Sequence, residues 1–160
     1  MGLVVLVFAA PLLQVLLVNR SPWGGPDLVT LAVVWLALAR GPVWGCVAGL
    51  VAGLAADVTP PADGTVGRTA LVLSIVGLLV GHRREGRPLP VAAAGATVGV
   101  LLQAAAAVGL GDDPWTAVVP ELPRTLGWTV VLGAMIGALL TRRRARAPLP
   151  GRWDAEPRRV

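Results

Sequence analysis

Residues 26–57 read PDLVTLAVVWLALARGPVWGCVAGLVAGLAAD and decide the fold class. Two apolar runs in this stretch are separated only by Arg40, Gly41 and Pro42. An arginine at the centre of a bilayer would cost about 2.5–3.5 kcal/mol on insertion scales, and a proline within a helix removes a backbone hydrogen bond. The stretch therefore predicts two membrane helices that are separated by a break at residues 40–42.

The composition of the whole chain is typical of a membrane protein. Of its 160 residues, 55% are apolar, 20 are glycine and only 14% are charged. The charged residues lie in short clusters between long uncharged runs, which leaves no polar shell for a soluble domain. All 14 basic residues are arginine, and they are spread along the chain. We therefore expect no nucleic-acid partner, because binding would need the arginines on one soluble face.

The apolar runs predict an all-α integral membrane protein, in which residues 1–140 form one bundle of six helical spans. The first run has no positive charge before it and no cleavage pattern after it, so we expect a retained span and not a signal peptide. Residues 141–160 are rich in Arg and Pro and lack periodicity, which predicts a disordered cytoplasmic tail. We expect an acidic loop at residues 112–124 and spans at about 2–18, 27–39, 42–56, 69–81, 91–110 and 125–140.

The positions of the arginines predict the orientation of the bundle. With both termini in the cytoplasm, six spans place eleven of the 14 arginines inside and six of the nine acidic residues outside. A five-span alternative fuses the second and third runs into one helix and places the N-terminus outside. Because that helix would hold Arg40 near mid-membrane and Pro42 in its interior, we prefer six spans.

Glycine recurs at every fourth residue of the third predicted span. Such a stripe lets a second helix approach closely, because membrane helices associate through backbone packing. We favour packing within the bundle over contact with a partner protein. The stripe consists of Gly41, Gly45, Gly49 and Gly53, and the same step reaches Asp57.

Two aspartates flank these runs. Asp27 follows Pro26 at the start of the second run, where a carboxylate can accept hydrogen bonds from the free N–H groups of a helix. Asp57 ends the third span at the outer membrane face. It is either a polar residue of the interface or an ionisable group with a function.

The spans contain none of the residue groups that catalysis or metal binding needs. They hold no Ser-His or Ser-Lys pair, no paired aspartates, no His/Glu metal pair and no phosphate loop. Cys46 and His82 are each the only residue of their type. We therefore expect no enzymatic activity, no metal and no cofactor.

The order of motifs in residues 26–81 resembles the rod shape-determining membrane protein MreD family. The resemblance is carried by Pro26-Asp27-Leu28, by LALARGP at 36–42, by the glycine stripe with Leu54 and Asp57, and by Gly67. It implies a bacterial inner-membrane component of the cell-elongation machinery, in complex with an MreC-like protein and linked to MreB filaments and peptidoglycan synthases. It also implies a fold similar to the substrate-binding subunits of energy-coupling-factor transporters. The residues of interest are then packing or partner-contact positions: Pro26, Asp27, Gly41, Pro42, Gly45, Gly49, Gly53 and Asp57.

A second function shares this size and number of spans: the subunit of a vitamin transporter that binds a small solute. A solute pocket needs several polar or aromatic side chains that converge within the spans. Only Gln14, Trp35 and Gln103 are evident in the sequence, which argues against this alternative.

Overall fold

The computed structural model describes residues 9–18, 25–59, 64–85 and 87–146. Every regular element in these residues is a helix, and the prediction of an all-α fold is confirmed for them. Helix α1 covers residues 9–18 and ends in the π-helical turn Gln14–Val18. The other helices are α2 (Leu28–Arg40), α3 (Pro42–Val58), α4 (Arg68–His82), α5 (Pro88–Gly109) and α6 (Trp115–Arg146).

Helix α2 lies at the centre of the bundle. It is apolar on all sides, and nine of its residues between Val29 and Leu38 are buried. A helix without a polar face must be covered all round, and α2 packs against α3, α4, α5 and α6. This central position makes α2 the element on which the other helices are arranged.

The chain reverses direction at Gly41, between α2 and α3. Gly41 has φ 99°, a left-handed conformation that a side chain disfavours, and its N–H donates to Ala37 O at 2.8 Å. Pro42 is tolerated because it lies in the first turn of α3, where its missing N–H has no partner within the helix. The single helix on which the five-span alternative depends is therefore not formed.

The glycine stripe of α3 faces α4. A Cβ added at Gly49 would lie 2.2 Å from Leu73 O, and one added at Gly45 would lie 2.4 Å from Gly77 O. A Cβ at Gly53 would likewise meet the α4 backbone, at 2.3 Å. These positions bring the two backbones into direct contact, as small residues do in membrane bundles. The structure thus uses the stripe for packing inside the chain.

Helices α5 and α6 form a second close pair. A Cβ added at Gly137 of α6 would lie 2.4 Å from Leu89 Cα near the start of α5. Gly99 of α5 lies instead against α2, where an added Cβ would be 2.5 Å from Thr30 Cγ2. Glycines therefore allow close contact between α5 and α6, and between α5 and the central helix α2.

The expected loop at residues 112–124 is largely helical, because α6 begins at Trp115 and runs through Pro120 and Pro123. Val118, Leu122 and Thr125 share one face of this first part and are half-buried, which explains why the helix persists in spite of the prolines. The α6 backbone also continues to Arg146, into the stretch expected to be disordered. Residues 147–160 of the expected tail lie outside the described residues.

Large apolar side chains also cover the outside of the bundle. On α3 they recur at helical spacing: Val43, Val47, Leu50, Leu54 and Val58 are all exposed. Among the described helices, α5 and Trp115–Arg142 of α6 are long and apolar enough to cross a membrane, whereas α2, α3 and α4 are apolar but shorter. By this measure of length and composition, the chain is a candidate membrane protein.

Candidate functional site at the acidic end

The antiparallel packing gives the bundle two chemically different ends. The starts of α2, α4 and α6 and the ends of α3 and α5 lie together, as hydrogen bonds of Asp27 to Gln103 and of Asp57 to Gly67 show. We call this the acidic end, and its described acidic residues are Asp27, Asp57, Asp112, Asp113 and Glu121. The opposite, basic end carries Arg40, Arg83, Arg84, Arg87 and Arg142.

Asp27 is the centre of a hydrogen-bond network between α2 and α5. Its carboxylate accepts the Thr30 N–H at 2.9 Å, which is the helix cap expected from the sequence. It also accepts the Thr30 hydroxyl and, at 2.5 Å, the side-chain amide of Gln103. The same Gln103 amide donates to Thr30 Oγ1 at 2.8 Å, and Thr30 is fully buried. The carboxylate thus holds a polar residue of α5 against the start of α2.

Two further helices meet the same point. The Asp27 N–H donates to Oγ1 of the buried Thr129 in α6 at 3.0 Å. The Leu28 N–H donates to Oε1 of Gln14 in α1 at 2.7 Å. Since the first N–H groups of a helix have no partner within it, α1 and α6 satisfy two that α2 leaves free. Pro26 is half-buried immediately before this junction.

Asp57 caps a helix other than its own. Its carboxylate accepts N–H groups of Gly67 at 2.9 Å, Thr69 at 3.3 Å and Ala70 at 3.4 Å. Helix α4 has no capping side chain of its own, because its N-cap residue is Gly67, which has no side chain and adopts a left-handed conformation. Asp57 therefore stabilises the positive end of the α4 dipole and fixes α4 beside α3.

Asp112 links the turn before α4 to the turn after α5. Its carboxylate accepts the Thr65 N–H at 2.9 Å and the Thr65 hydroxyl at 2.8 Å, and it pairs with Arg68 at 2.7 Å. These hydrogen bonds, and then the Arg68 charge, hold the pKa of Asp112 below its ordinary value. This contact could not be predicted from the sequence, since its residues lie in two separate polar stretches.

We predict that this link opens in acid. A carboxylate with a lowered folded-state pKa stabilises the fold above its unfolded pKa, here near 3.8, and this contribution is lost as the pH falls through the lowered value. The NMR signal of the Thr65 amide should therefore shift as the pH is lowered from about 6 to about 2. Asp112→Asn should abolish the transition and Asp113→Asn should retain it; an unchanged Thr65 signal in the wild type would contradict the link.

A cavity of about 390 Å³ lies beside the Asp27 network. It brings together Gln14 and Gln103, which the sequence shows only as isolated polar residues of distant spans. Trp35 is not part of it and lies in a separate apolar cavity between α1, α2 and α6. The polar residues that line the acidic-end cavity are Gln14, Asp27, Arg68, Thr69, Gln103, Asp113, Glu121 and Thr125.

The other residues expected at a functional site lie away from this cavity. Gly41 and Pro42 form the turn at the basic end, and Gly45, Gly49 and Gly53 lie between α3 and α4. Within the described part of the chain, no group of three or more His, Cys, Asp or Glu side chains is placed to hold a metal ion.

No family model, no curated protein and no solved structure matches this chain. The resemblance to MreD therefore rests on the residues in 26–81 that carry it.

Proposed function

We propose that this protein is a non-catalytic membrane scaffold of the bacterial cell-elongation complex, similar to MreD. The observation that supports it is the structural use of the residues that carry the resemblance. Asp27 and Asp57 cap α2 and α4, Gly41 turns the chain, and the stripe joins α3 to α4. The motif thus describes an α2–α3–α4 unit held together by helix caps and backbone packing, which suits a protein that organises others.

We propose six spans in the bacterial cytoplasmic membrane with both termini in the cytoplasm. The large apolar side chains exposed around the outside of the bundle suit contact with lipid, and the basic end suits the cytoplasmic side under the positive-inside rule. The 13 residues of α2 extend only about 20 Å, less than the roughly 30 Å of a hydrocarbon core. Because α2 is surrounded by other helices, its polar ends can meet protein in place of lipid.

The partner would be an MreC-like membrane protein, with MreB filaments and peptidoglycan synthases linked to the same complex. Since the glycine stripe is occupied by α4, a partner helix needs another face of the bundle. The outward stripe of α3 offers one, because Val47 and Leu54 are exposed there while Ala48 is buried. We propose the outer face of α3 as the contact surface for the partner.

The proposal is tested by co-expression with an MreC-like protein of the same bacterium. A photo-crosslinking residue at Val47 should yield a crosslink to the partner, and the matched variant at the buried Ala48 should yield none. Deletion of the gene should also round the cells. Normal rods after deletion, together with the absence of co-purification, would remove the scaffold proposal.

A second candidate function is the solute-binding (vitamin) subunit of an energy-coupling-factor type transporter. The acidic-end cavity favours it, because Gln14, Asp27 and Gln103 converge there from three helices. Mass spectrometry of the purified protein should then detect an endogenous vitamin at a stoichiometric level. A protein purified without any bound solute would leave the scaffold as the better proposal.

A further inference from the structure

We propose that the acidic-end cavity binds a small organic cation, an aliphatic amine with a short carbon chain. The cavity's volume of about 390 Å³ is at the lower end of the range for small-molecule sites. Binding of such a cation deepens the second candidate function and rests on its solute site, but it requires no transporter partner and is compatible with a scaffold.

The charges that line the cavity select a cation. Three carboxylates line it, from Asp27, Asp113 and Glu121, against one guanidinium, from Arg68. The closest ion pair of Arg68 is with Asp112 at 2.7 Å, while Asp113 is at 3.9 Å. The guanidinium is thus largely offset by Asp112, which lies outside the cavity lining. Glu121 in turn pairs with Arg124 at 3.8 Å, also outside the lining. Four carboxylates against two guanidinium groups still leave an excess of negative charge around the cavity.

The uncharged part of the wall suits a short carbon chain with a polar head. Small apolar residues from three helices leave the space open: Ala56 of α3, Ala104 and Ala107 of α5, and Val118 of α6. Gln14 and Gln103 supply amide groups beside them. A protonated amine can form charge-assisted hydrogen bonds with the carboxylates while its methylene groups pack on the alanines.

The Asp27 carboxylate is already oriented for such a ligand. The Thr30 N–H and the Gln103 amide hold it in place, so that little side-chain entropy is lost on binding. Glu121 and Asp113 lie near the surface and are more than half exposed. A cation would therefore meet two exposed carboxylates first and a fixed one at the Asp27 network.

The test uses the full-length protein in nanodiscs of zwitterionic lipid, titrated with putrescine by calorimetry. Butanediol and succinate are matched probes, with the same four-carbon chain but neutral or negative ends. We expect saturable binding of putrescine at one site per chain and none of the other two. Binding of all three probes, or no binding of putrescine up to about 10 mM, would overturn the proposal.

A pair of variants assigns the binding to the cavity. Glu121→Gln, on an exposed side chain of the lining, should weaken putrescine binding up to about fivefold, the effect of an exposed ion pair. Glu85→Gln, the same change at the basic end, should leave it unchanged. Ala104→Leu should weaken putrescine binding more than Glu121→Gln does, because the leucine side chain would fill part of the cavity. Equal affinities in Glu121→Gln, Ala104→Leu and wild type would place putrescine elsewhere and overturn the proposal.

The outcome is separable from the two functions. A copurified vitamin without a positive charge would support the second candidate function and contradict the proposal that the cavity binds a cation. Absence of a crosslink from α3 to an MreC-like partner would contradict the scaffold proposal but would not affect the measured affinity for putrescine.

Discussion

Gly49→Ala is expected to separate α3 from α4 and to lower the free energy of unfolding by about 3 kcal/mol or more. One methyl group has this effect because the added Cβ would lie 2.2 Å from Leu73 O and 2.6 Å from Ser74 N, both of them backbone atoms. A side chain could rotate away, but a helix backbone can yield only by moving the whole helix. Overpacking in close-packed interiors costs about 1–3 kcal/mol and more where nothing can adjust. Gly49→Leu should prevent the bundle from forming.

The single cysteine provides the measurement. Cys46 is half-buried in α3, three residues before Gly49, so a thiol-reactive dye reports the opening of this part of the bundle during heating. Gly127→Ala is the matched control, because a Cβ at Gly127 in α6 would meet nothing within 4 Å. That variant should unfold at or slightly above the wild-type temperature, since alanine is the better helix former. Equal unfolding temperatures for the two variants would show that α3 and α4 are not in backbone contact at Gly49.

Local chemistry explains which parts of this fold the sequence could predict. The break at Gly41-Pro42, the cap at Asp27 and the close-packing role of the stripe each follow from neighbouring residues in the chain. The start of α6 could not be predicted in this way. Pro120 and Pro123 indicate a loop as long as the residues that pack against this segment are unknown. The four-residue spacing of the apolar Val118 and Leu122 was the available signal for a helix there.

The site was less predictable than the fold, because its contacts join distant parts of the chain. Gln14 and Gln103 are each a polar residue within an apolar span, but nothing in the sequence brings them to Asp27. Asp57 was expected at a membrane interface, and the structure shows its carboxylate at the start of α4. A polar residue within an apolar span therefore indicates that a partner exists, and only the packing of helices identifies the partner.

Asp27→Ala is expected to lower the free energy of unfolding by about 2–4 kcal/mol. The change removes a helix cap worth about 1 kcal/mol and leaves the Gln103 amide and the buried Thr30 hydroxyl without this acceptor, at about 1–3 kcal/mol for a buried group. Asp27→Asn should lower the free energy of unfolding by less, because the asparagine Oδ1 can still accept the Thr30 N–H. The remaining loss comes from the asparagine NH2 group, which would face the NH2 group of Gln103, and both of these groups are donors. Asp113→Ala removes a carboxylate that is 52% exposed and should change stability little.

A double-mutant cycle separates the hydrogen bond from the cap. Gln103→Leu removes the amide that needs the Asp27 carboxylate, so the double variant Asp27→Ala, Gln103→Leu should be more stable than the sum of the two single losses implies. The coupling should be about 1–3 kcal/mol in thermal or denaturant unfolding, as expected for residues in one hydrogen-bond network. Strict additivity would mean that the Asp27 carboxylate and the Gln103 amide do not stabilise each other, and that the carboxylate acts only on its own helix.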